Sequence, residues 1–454
     1  MKRIMRKPIG ASRLAPTLLL TAAVAASCTL PAGSRPASGV GDPNPASGLS
    51  PAAELLVLHE RVRVPAIDSR RFTHARYWGA LNPIVDAAPH LSREEVGRSA
   101  EGRPLQAITY GSGPTRVLLW SQMHGDESTA SMSLLDLYNH LSRSPDDPVA
   151  RLIRERLTVV AVPMLNPDGA ERFQRRNALG IDVNRDARML ATPEGQTLRR
   201  MHERVRPAFG FNLHDQNPRI RVGSAQRVAA ISLLAPPFDE ARSYDPVREQ
   251  ARRMSGLLRG TAEQLVPGHV ARYDDSFNPR AFGDLMQSWG TSTVLIEAGG
   301  WAGDEEKQFL RAVNFALLIN ALEAIATGAL DASHAAAYEA LPQNGPLASD
   351  LLVRGGTVVA PGLPPVRADI SANFDDSLRR DRAVITDVGD LGEAIAIDTI
   401  SVDGLFLHLD REALRAAGPA PIIAPGTPLS FVARRSADPA SEVVLRVENG
   451  RRAP

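Results

Sequence analysis

The feature that most constrains the fold is an alternation of short apolar runs with longer helical patterns along residues 51–328. The apolar runs predict strands at 105–110, 117–120, 157–165, 209–213, 228–234 and 291–296. Helical spacing or length predicts helices at 52–59, 128–141, 192–206, 245–265 and 304–327. Strands that alternate with helices are typical of an α/β fold, in which helices cover the faces of a sheet. The sequence therefore predicts an α/β domain over residues 51–328.

The composition changes after residue 328. Residues 329–347 are rich in Ala, Gly and Pro, which is typical of a linker. Residues 348–454 contain short β-type runs that glycine and proline separate, and this pattern predicts a small all-β accessory domain.

The N-terminal segment is typical of an export signal. A basic start is followed by a mostly apolar stretch over residues 14–26, which is too short to span a bilayer comfortably. Small residues precede Cys28, the only cysteine of the chain, so residues 1–27 resemble a bacterial lipoprotein signal with Cys28 as the lipidated residue. The alternative is an ordinary secretory signal. We expect an exported protein in the periplasm or on the outer membrane, tethered by a flexible linker over residues 28–50, or a secreted one.

The charge balance excludes a strong attraction to nucleic acid. The chain has 52 basic and 51 acidic residues, which gives a formal net charge of +1. Its single cysteine excludes an internal disulfide. We expect no nucleic-acid partner, and membrane contact only through the lipid anchor at Cys28.

Potential metal ligands follow the predicted strand at 117–120. His124 and Glu127 lie three residues apart around a turn with Gly125, directly before a predicted helix. Imidazole nitrogen and carboxylate oxygen both bind zinc, at about 2.0–2.2 Å. The spacing alone is weak evidence, because a surface turn with an acid near the start of a helix has the same pattern.

Two further polar residues follow strand-like runs. His214 ends the run at 209–213, and Glu297 ends the run at 291–296. Functional groups of α/β sheets collect beyond the carboxyl ends of the strands. Two histidines and a glutamate are also a known ligand set for catalytic zinc, which leaves one position open.

The ordered motifs of the chain resemble those of the zinc carboxypeptidase family, the carboxypeptidase A-like metallopeptidases, over roughly residues 90–325. The motifs are Ser-Ala-Glu-Gly-Arg at 99–103, His-Gly-Asp-Glu at 124–127, Asn-Pro-Asp-Gly at 166–169, Arg-Arg-Asn-Ala-Leu-Gly-Ile-Asp-Val-Asn-Arg at 175–185, His214, and Leu-Ile-Glu at 295–297. The resemblance implies a carboxypeptidase-like mixed sheet flanked by helices.

The resemblance also implies a role for each residue. One zinc ion would be bound by His124, Glu127 and His214. Glu297 would be the general base. Arg175 would stabilise the negative charge of the tetrahedral intermediate, with Arg176 beside it. Asn184 and Arg185 would bind the free C-terminal carboxylate of a peptide substrate, since a guanidinium suits a carboxylate. The predicted substrate-binding residues are Arg176, Asn184, Arg185 and Tyr273.

One segment departs from the family pattern. The family has a mobile tyrosine some twenty residues before the glutamate, and counting back here leads near Phe277, with Tyr273 four residues earlier. Tyr273 is therefore the candidate for this residue. The side-chain preference of the pocket does not follow from the sequence.

The sequence predicts a zinc-dependent metallocarboxypeptidase that hydrolyses C-terminal peptide bonds. One alternative is a cell-wall (murein) peptide amidase that uses the same site with a different pocket. A binding lipoprotein that lost catalysis is another, but every predicted ligand, base and arginine is present.

Overall fold

The structure is a computed structural model that describes residues 50–360, 364–409, 414–417 and 420–453. The predicted export signal, Cys28 and all but the last residue of the predicted tether lie outside the described residues. The helices are Pro51–Val62 (α1), His74–Asp86 (α2), Thr129–Arg143 (α3), Pro148–Arg156 (α4), Pro167–Arg172 (α5), Pro193–Val205 (α6), Pro246–Leu265 (α7), Phe282–Ser288 (α8), Gln308–Thr327 (α9) and Ala332–Glu339 (α10).

Several helices begin at a sequence signal that is visible in the chain. Ser50, Thr192 and Asp245 precede a proline, and the side chain of each accepts a backbone N–H of the first turn. A capping oxygen satisfies one of the free N–H groups, and proline at the first helical position lacks an N–H of its own. The starts of α1, α6 and α7 are therefore determined locally.

The strands of the α/β part are Leu91–Arg98 (β1), Pro104–Tyr110 (β2), Thr115–Ser121 (β3), Leu157–Val162 (β4), Phe209–Asp215 (β5), Ile220–Val222 (β6), Ile231–Leu234 (β7), Val270–Arg272 (β8) and Ser292–Ala298 (β9). Among the described residues, eight of them form one mixed sheet in the order β1-β2-β4-β3-β5-β9-β7-β8. The central strands β4, β3, β5 and β9 run parallel, and antiparallel pairs flank them. The predicted α/β fold is confirmed.

The parallel centre brings the functional segments together. From β3 the chain first adds β4 on one side and later adds β5 on the other, so the strand order reverses between β3 and β5. Ligands of open α/β sheets bind at such a point, outside the carboxyl ends of the strands. The segments after β3, β5 and β9 all meet at this edge.

Both faces of the sheet are covered. Val117 and Leu119 of β3 belong to the core cluster with α1, α3, α7 and α9, whereas Leu118 and Trp120 belong to the cluster with α6 and α8. Burial on both faces explains why β3 is apolar throughout instead of alternating. Helix α9 is long and apolar enough to cross a membrane, but most of it is buried, so it is a core helix of this fold.

A buried ion cluster joins α1, α3 and α9. Asp136 accepts hydrogen bonds from Arg311, whose Nε lies 2.5 Å from its Oδ2, and pairs with His59 at 2.8 Å. The side chains of Asp136 and Arg311 are fully buried. Each charge is therefore compensated inside the core, as buried charges require.

The predicted linker at 329–347 contains regular structure. Helix α10 packs so closely on α7 that a Cβ at Gly256 would lie 1.7 Å from the carbonyl oxygen of His334. The end of the segment is a strand, Asn344–Leu347 (β10), which pairs with β6 of the α/β part. Its Ala-rich composition reflects close helix packing rather than flexibility.

The C-terminal region is strand-rich, as predicted. Its strands are Ser349–Arg354 (β11), Thr357–Val359 (β12), Val366–Arg367 (β13), Asp369–Phe374 (β14), Ala383–Gly389 (β15), Ala396–Ser401 (β16), Phe406–Leu409 (β17), Leu414–Ala417 (β18), Ala420–Ile423 (β19), Phe431–Arg434 (β20), Val443–Glu448 (β21) and Arg451–Ala453 (β22). Described residues form a sheet β15-β14-β11-β16 and a sheet β13-β12-β17-β20-β21-β22, which share one apolar core. This core is separate from those of the α/β part.

Candidate metal centre

The turn after β3 has an unusual backbone conformation and is tightly packed at one glycine. Gln122 adopts φ 51°, in the left-handed region, directly after β3. A Cβ at Gly125 would lie 2.0 Å from the carbonyl carbon of Gly169, so only glycine fits between His124 and Glu127. Strained backbone persists where the surroundings fix it, and it is often found at functional sites. Here it turns both side chains towards the strand ends.

His124, Glu127 and His214 converge. The Nδ1 atom of His124 lies 2.7 Å from Oε1 of Glu127, and Nδ1 of His214 lies 2.7 Å from Oε2 of the same carboxylate. One ligand atom from each residue lies within 4.8 Å of the others, and all three residues are buried. Glu127 therefore interacts with both imidazoles. It does not act as a helix cap, since α3 has Ser128 at its N-cap position.

The charges of this cluster are strongly coupled. Burial alone would raise the pKa of Glu127, but the two histidines hold it well below its usual range. Burial lowers the pKa of His124, yet Glu127 and Asp182 outweigh this and raise it to about 9. Burial also lowers the pKa of His214. A buried carboxylate that stays ionised demands a positive partner.

The residues present fit a metal ion. Two imidazole nitrogens and one carboxylate converge on one point, which is the donor set of a catalytic zinc site. Arg175 brings positive charge to this point, since its Nη1 lies 3.0 Å from Oε1 of Glu127 and 3.1 Å from Nδ1 of His124. The cluster is therefore built to surround a cation.

A second layer supports His124. Asp182 accepts a hydrogen bond from its Nε2 at 3.0 Å, which leaves Nδ1 free to face Glu127. Such a carboxylate fixes the tautomer and the orientation of a metal-binding histidine. Asp182 lies inside the motif at 175–185, but nothing in the sequence alone singles it out. Asp215, which directly follows His214, pairs with Lys307 at 3.2 Å and accepts a hydrogen bond from Thr129.

Glu297 stands beside the cluster. In the parallel register of β5 and β9 it lies directly opposite His214, and it is 7% exposed. Its Oε2 is buried and has no hydrogen-bond partner among the described residues. Burial and the negative charge of Glu127 raise its pKa well above the usual range. A bound cation would act in the opposite direction.

The predicted carboxylate-binding pair also reaches this site. Asn184 lies in the short 3-10 turn Val183–Arg185, where its Oδ1 accepts the backbone N–H of Phe282 at 2.9 Å. Its Nδ2 lies 3.4 Å from Nε2 of His214. Arg185 lines the same cleft and forms no ion pair with a described residue.

The structure separates the two remaining candidates. Tyr273 lines the cleft, and its pKa is raised, first by the negative charge of Glu297 and then by burial. Arg176 is exposed, donates a hydrogen bond to the carbonyl oxygen of Gly180, and does not line the cleft. Arg175 and Arg176 are adjacent, and only Arg175 reaches the metal cluster.

The other motifs hold the loops together. Asn166 donates hydrogen bonds to the carbonyl oxygens of Met123 and Arg175, and so ties the His124 turn to the arginine loop. Asp168 accepts hydrogen bonds from Ser99, at 2.7 Å, and Arg103, at 2.6 Å. The motifs at 99–103 and 166–169 are therefore supports of the site and do not line it.

A cleft of about 830 Å³ contains these groups. That volume lies within the range of about 300–1,000 Å³ that ligand pockets occupy. The cleft is lined by Arg70, His124, Glu127, Arg175, Asn184, Arg185, Asn212, His214, Arg219, Tyr273, Asp284, Glu297, Lys307 and residues 374–378, among others. Residues 374–378 come from the C-terminal region, and nothing in the sequence indicates that they reach the site.

Comparison with known proteins supports the predicted resemblance. Residues 80–215 match the model of the zinc carboxypeptidase family. The chain is 34% identical over 115 residues to carboxypeptidase SOL1 of Arabidopsis thaliana, which is 24% of this chain and 23% of that protein. It is 30% identical over 188 residues to probable carboxypeptidase 2 of Trichophyton verrucosum, which is 40% of this chain and 34% of that protein. The chain thus covers at most about a third of either relative.

Solved structures that match part of the chain include the metallo-carboxypeptidases of Burkholderia cenocepacia and Pseudomonas aeruginosa. The Burkholderia cenocepacia protein is 20% identical with a TM-score of 0.44, and the alignment covers 55% of this chain and 69% of that one. The Pseudomonas aeruginosa protein, solved with (2-guanidinoethylmercapto)succinic acid, is 18% identical with a TM-score of 0.45, and the alignment covers 57% and 70%. The family match over residues 80–215 and the similarity in sequence to the two carboxypeptidases above confirm the predicted resemblance to zinc carboxypeptidases.

Proposed function

We propose that this protein is a zinc-dependent metallocarboxypeptidase, which hydrolyses the C-terminal peptide bond of peptide substrates. The proposal rests on one observation above all: the ligand cluster and Glu297 stand side by side, because His214 and Glu297 are opposite each other in adjacent parallel strands. The match of residues 80–215 to the zinc carboxypeptidase family supports it.

The metal would be held by His124, Glu127 and His214, with Asp182 orienting the first of them. Zinc in such a site polarises a carbonyl group and lowers the pKa of water. The carboxylate of Glu297 has a free Oε2, which can take the proton of an attacking water and deliver it to the leaving amine. Arg175 donates a hydrogen bond to Glu127, so its positive charge is close enough to stabilise the oxyanion that would develop there.

Asn184 and Arg185 would orient the substrate by its terminal carboxylate. The guanidinium of Arg185 has no carboxylate partner among the described residues and faces the cleft. An arginine binds a carboxylate through two parallel N–H groups, which fixes direction as well as position. This arrangement favours cleavage at the end of a peptide over cleavage inside it.

Hydrolysis of N-acetylated peptides tests the proposal. We expect chelation to abolish hydrolysis, zinc to restore it, and Glu297→Gln to reduce kcat/KM by about a hundredfold to ten-thousandfold, since it removes the base. Glu305→Gln changes an exposed glutamate nearby and serves as the control. Chelator-resistant hydrolysis, or an active Glu297→Gln variant, would contradict the zinc mechanism.

The role of the terminal carboxylate is tested with a second substrate. A peptide with a C-terminal amide should be hydrolysed at least about tenfold more slowly than the free acid, since the charge-assisted bonds to Arg185 are lost. Equal rates would contradict a carboxypeptidase and favour another peptidase activity. Cell-wall peptides in the same assay distinguish the murein amidase.

We also propose that the protein is exported and lipidated at Cys28. The basic start and the apolar stretch before Cys28 support this proposal. Wild-type protein should incorporate a labelled lipid precursor, and Cys28→Ala should not. An unlabelled wild type, or label in the variant, would refute lipidation.

A further inference from the structure

Two groups of residues from different parts of the chain line the cleft. The first group contains Asn184, Arg185 and Asp284, and Arg280 of the segment before α8 donates a hydrogen bond to the carbonyl oxygen of Arg185. The second group contains Arg70 and residues 374–378. The metal cluster and Glu297 belong to the same cleft.

Residues 374–378, which we call the wall segment, are held firmly in place. Asp376 accepts hydrogen bonds from Arg70 and, at 2.9 Å, from Arg71, both in the α/β part. Asp350 accepts the backbone N–H of Phe374 at 2.8 Å and the hydroxyl of Ser377 at 2.9 Å. The wall segment is therefore a fixed side of the cleft.

Arg219 belongs to the segment that follows β5 and contacts the start of the C-terminal region. It is five residues after His214, and its carbonyl oxygen accepts the backbone N–H of Ala348 at the start of the C-terminal region. Its positive charge acts on Asp350, which anchors the wall segment, but the two do not form an ion pair. Arg219 is partly buried, and it lines the cleft.

The guanidinium of Arg219 is unpaired in the described part of the chain. It forms no ion pair and no side-chain hydrogen bond there, and its Nε is buried without a partner. Burial of an arginine without an acceptor is unfavourable, because hydration is lost and nothing replaces it. A ligand in the cleft that carries a hydrogen-bond acceptor would give this guanidinium the partner that it lacks.

Three of the other basic side chains that line the cleft already have acidic partners. Arg70 pairs with Asp376, Lys307 pairs with Asp215, and Arg175 pairs with Glu127 and Asp182. Among the described residues that line the cleft, Arg185 and Arg219 are the arginine or lysine side chains without an ion pair. Both are available to bind anionic groups of the substrate.

We propose that Arg219 forms a subsite for a carboxylate side chain on the residue that precedes the scissile bond. This inference rests on the proposed function. If Arg185 binds the terminal carboxylate and the scissile bond lies at the ligand cluster, the residue before that bond extends beyond the cluster, and Arg219 is the remaining unpaired basic side chain among the described residues that line the cleft. In a peptide, the anion available at that position is the side chain of aspartate or glutamate. The favoured substrates therefore have an acidic penultimate residue.

The carboxylates of the wall segment do not oppose such a substrate. Asp376 is neutralised by Arg70 and Arg71, and Asp375 pairs with Arg382 at 3.2 Å. The unpaired positive charge of Arg219 thus favours an anionic side chain of the substrate beside the wall segment.

Equilibrium binding tests the subsite without turnover. The probes are four pairs of N-acetylated tripeptides. The two peptides of a pair differ only in glutamate or glutamine as the penultimate residue, and the pairs have alanine, phenylalanine, lysine or glutamate at the C-terminus. Calorimetry measures their Kd on zinc-loaded Glu297→Gln protein, with and without Arg219→Gln. We expect the glutamyl peptide to bind at least about tenfold more tightly, and Arg219→Gln to remove this preference while changing the Kd of the glutaminyl peptide less than about twofold.

Arg221→Gln is the matched control. Arg221 lies two residues further along and bonds to the carbonyl oxygen of Pro346, outside the cleft lining. Arg221→Gln should keep the preference, and Arg219→Lys should keep part of it. Equal Kd values for the two peptides of a pair on the protein that retains Arg219 would overturn the subsite. An equal loss of affinity for both peptides in Arg219→Gln would also overturn it.

Two further readouts separate the alternatives. If Arg219 only stabilises the wall through Asp350, Arg219→Gln will lower the melting temperature and leave the preference unchanged, which overturns the subsite. If the proposed function fails, wild-type protein will hydrolyse neither peptide, whereas the Kd comparison still reports on Arg219. Binding of neither peptide overturns both.

Discussion

Substitution of Asp182 gives the sharpest test of the metal centre. It changes a charge that contacts the predicted ligand His124 and leaves all three predicted ligands in place. The Oδ1 atom of Asp182 lies 3.0 Å from Nε2 of His124, and its Oδ2 lies 3.0 Å from Nη2 of Arg175. Burial would raise the pKa of Asp182, but the bond to His124 and the nearby positive charges hold it below its usual range. The residue is therefore an anion at neutral pH, and Asp182→Asn removes that charge while it keeps the size.

The expected loss of zinc affinity follows from these two contacts. A carboxylate behind a metal-binding histidine contributes about 10- to 100-fold to affinity, or about 1.4–2.7 kcal/mol. In Asp182→Asn the charge of Arg175 also loses one of its two carboxylate partners, and it would then repel the metal more strongly. We therefore expect the upper part of the range, about 30- to 100-fold.

Competition with a chromophoric chelator at pH 7.5 measures the zinc affinity of each variant. Asp186→Asn is the matched control, since Asp186 is a buried aspartate of the same loop that accepts the backbone N–H groups of Ala191 and Thr192. It should lower stability and change zinc affinity less than about twofold. A loss below threefold in Asp182→Asn, or the same loss in both variants, would refute a metal centre supported by Asp182.

Three further predictions concern the fold around the site. Asp136→Ala should lower the free energy of unfolding by about 3–5 kcal/mol in urea titrations, because it leaves the fully buried Arg311 without its carboxylate; a loss below 1 kcal/mol would contradict this. Burial raises the pKa of Asp284 to about 7, so its ionisation destabilises the fold as pH rises from about 4 to 7. The free energy of unfolding of Asp284→Asn should equal that of wild type at pH 4 and exceed it by up to about 4 kcal/mol above pH 7. A difference that does not change with pH would refute the raised pKa of Asp284. Gly125→Ala should lose zinc binding, measured by metal analysis of the purified protein, since its Cβ would lie 2.0 Å from the carbonyl carbon of Gly169; a zinc-loaded variant would contradict the tight turn.

The sequence predicts the central sheet well because its signals are local. An apolar run that ends in a polar residue specifies both a buried strand and the place where it stops, as for β3, β5 and β9. Parallel strands then bring their carboxyl ends to one edge, which places His124, His214 and Glu297 together. Their roles in catalysis and metal binding remain predictions.

Other elements did not follow from pattern. The sequence pattern predicts no strand before residue 105, but β1 spans Leu91–Arg98, because it pairs with β2 with one register shift between Glu95 and Gly97. The segment at 329–347 has the composition of a linker, yet its alanines form α10, which is stabilised by packing on α7. In both cases a distant partner supplies the stabilisation, and propensity is only a weak guide there.

The sequence by itself determined the strand ends, the ligand types and the local turns, because each depends on neighbouring residues. Only the tertiary structure decided which of two adjacent arginines reaches the cluster, which carboxylate supports His124, and which part of the chain closes the cleft. The wall segment lies some 160 residues after His214, and the contacts that hold it, such as that of Asp376 with Arg70, join side chains 306 residues apart. Pairings over such distances depend on how the two parts pack against each other, and no periodicity or spacing along the chain records them.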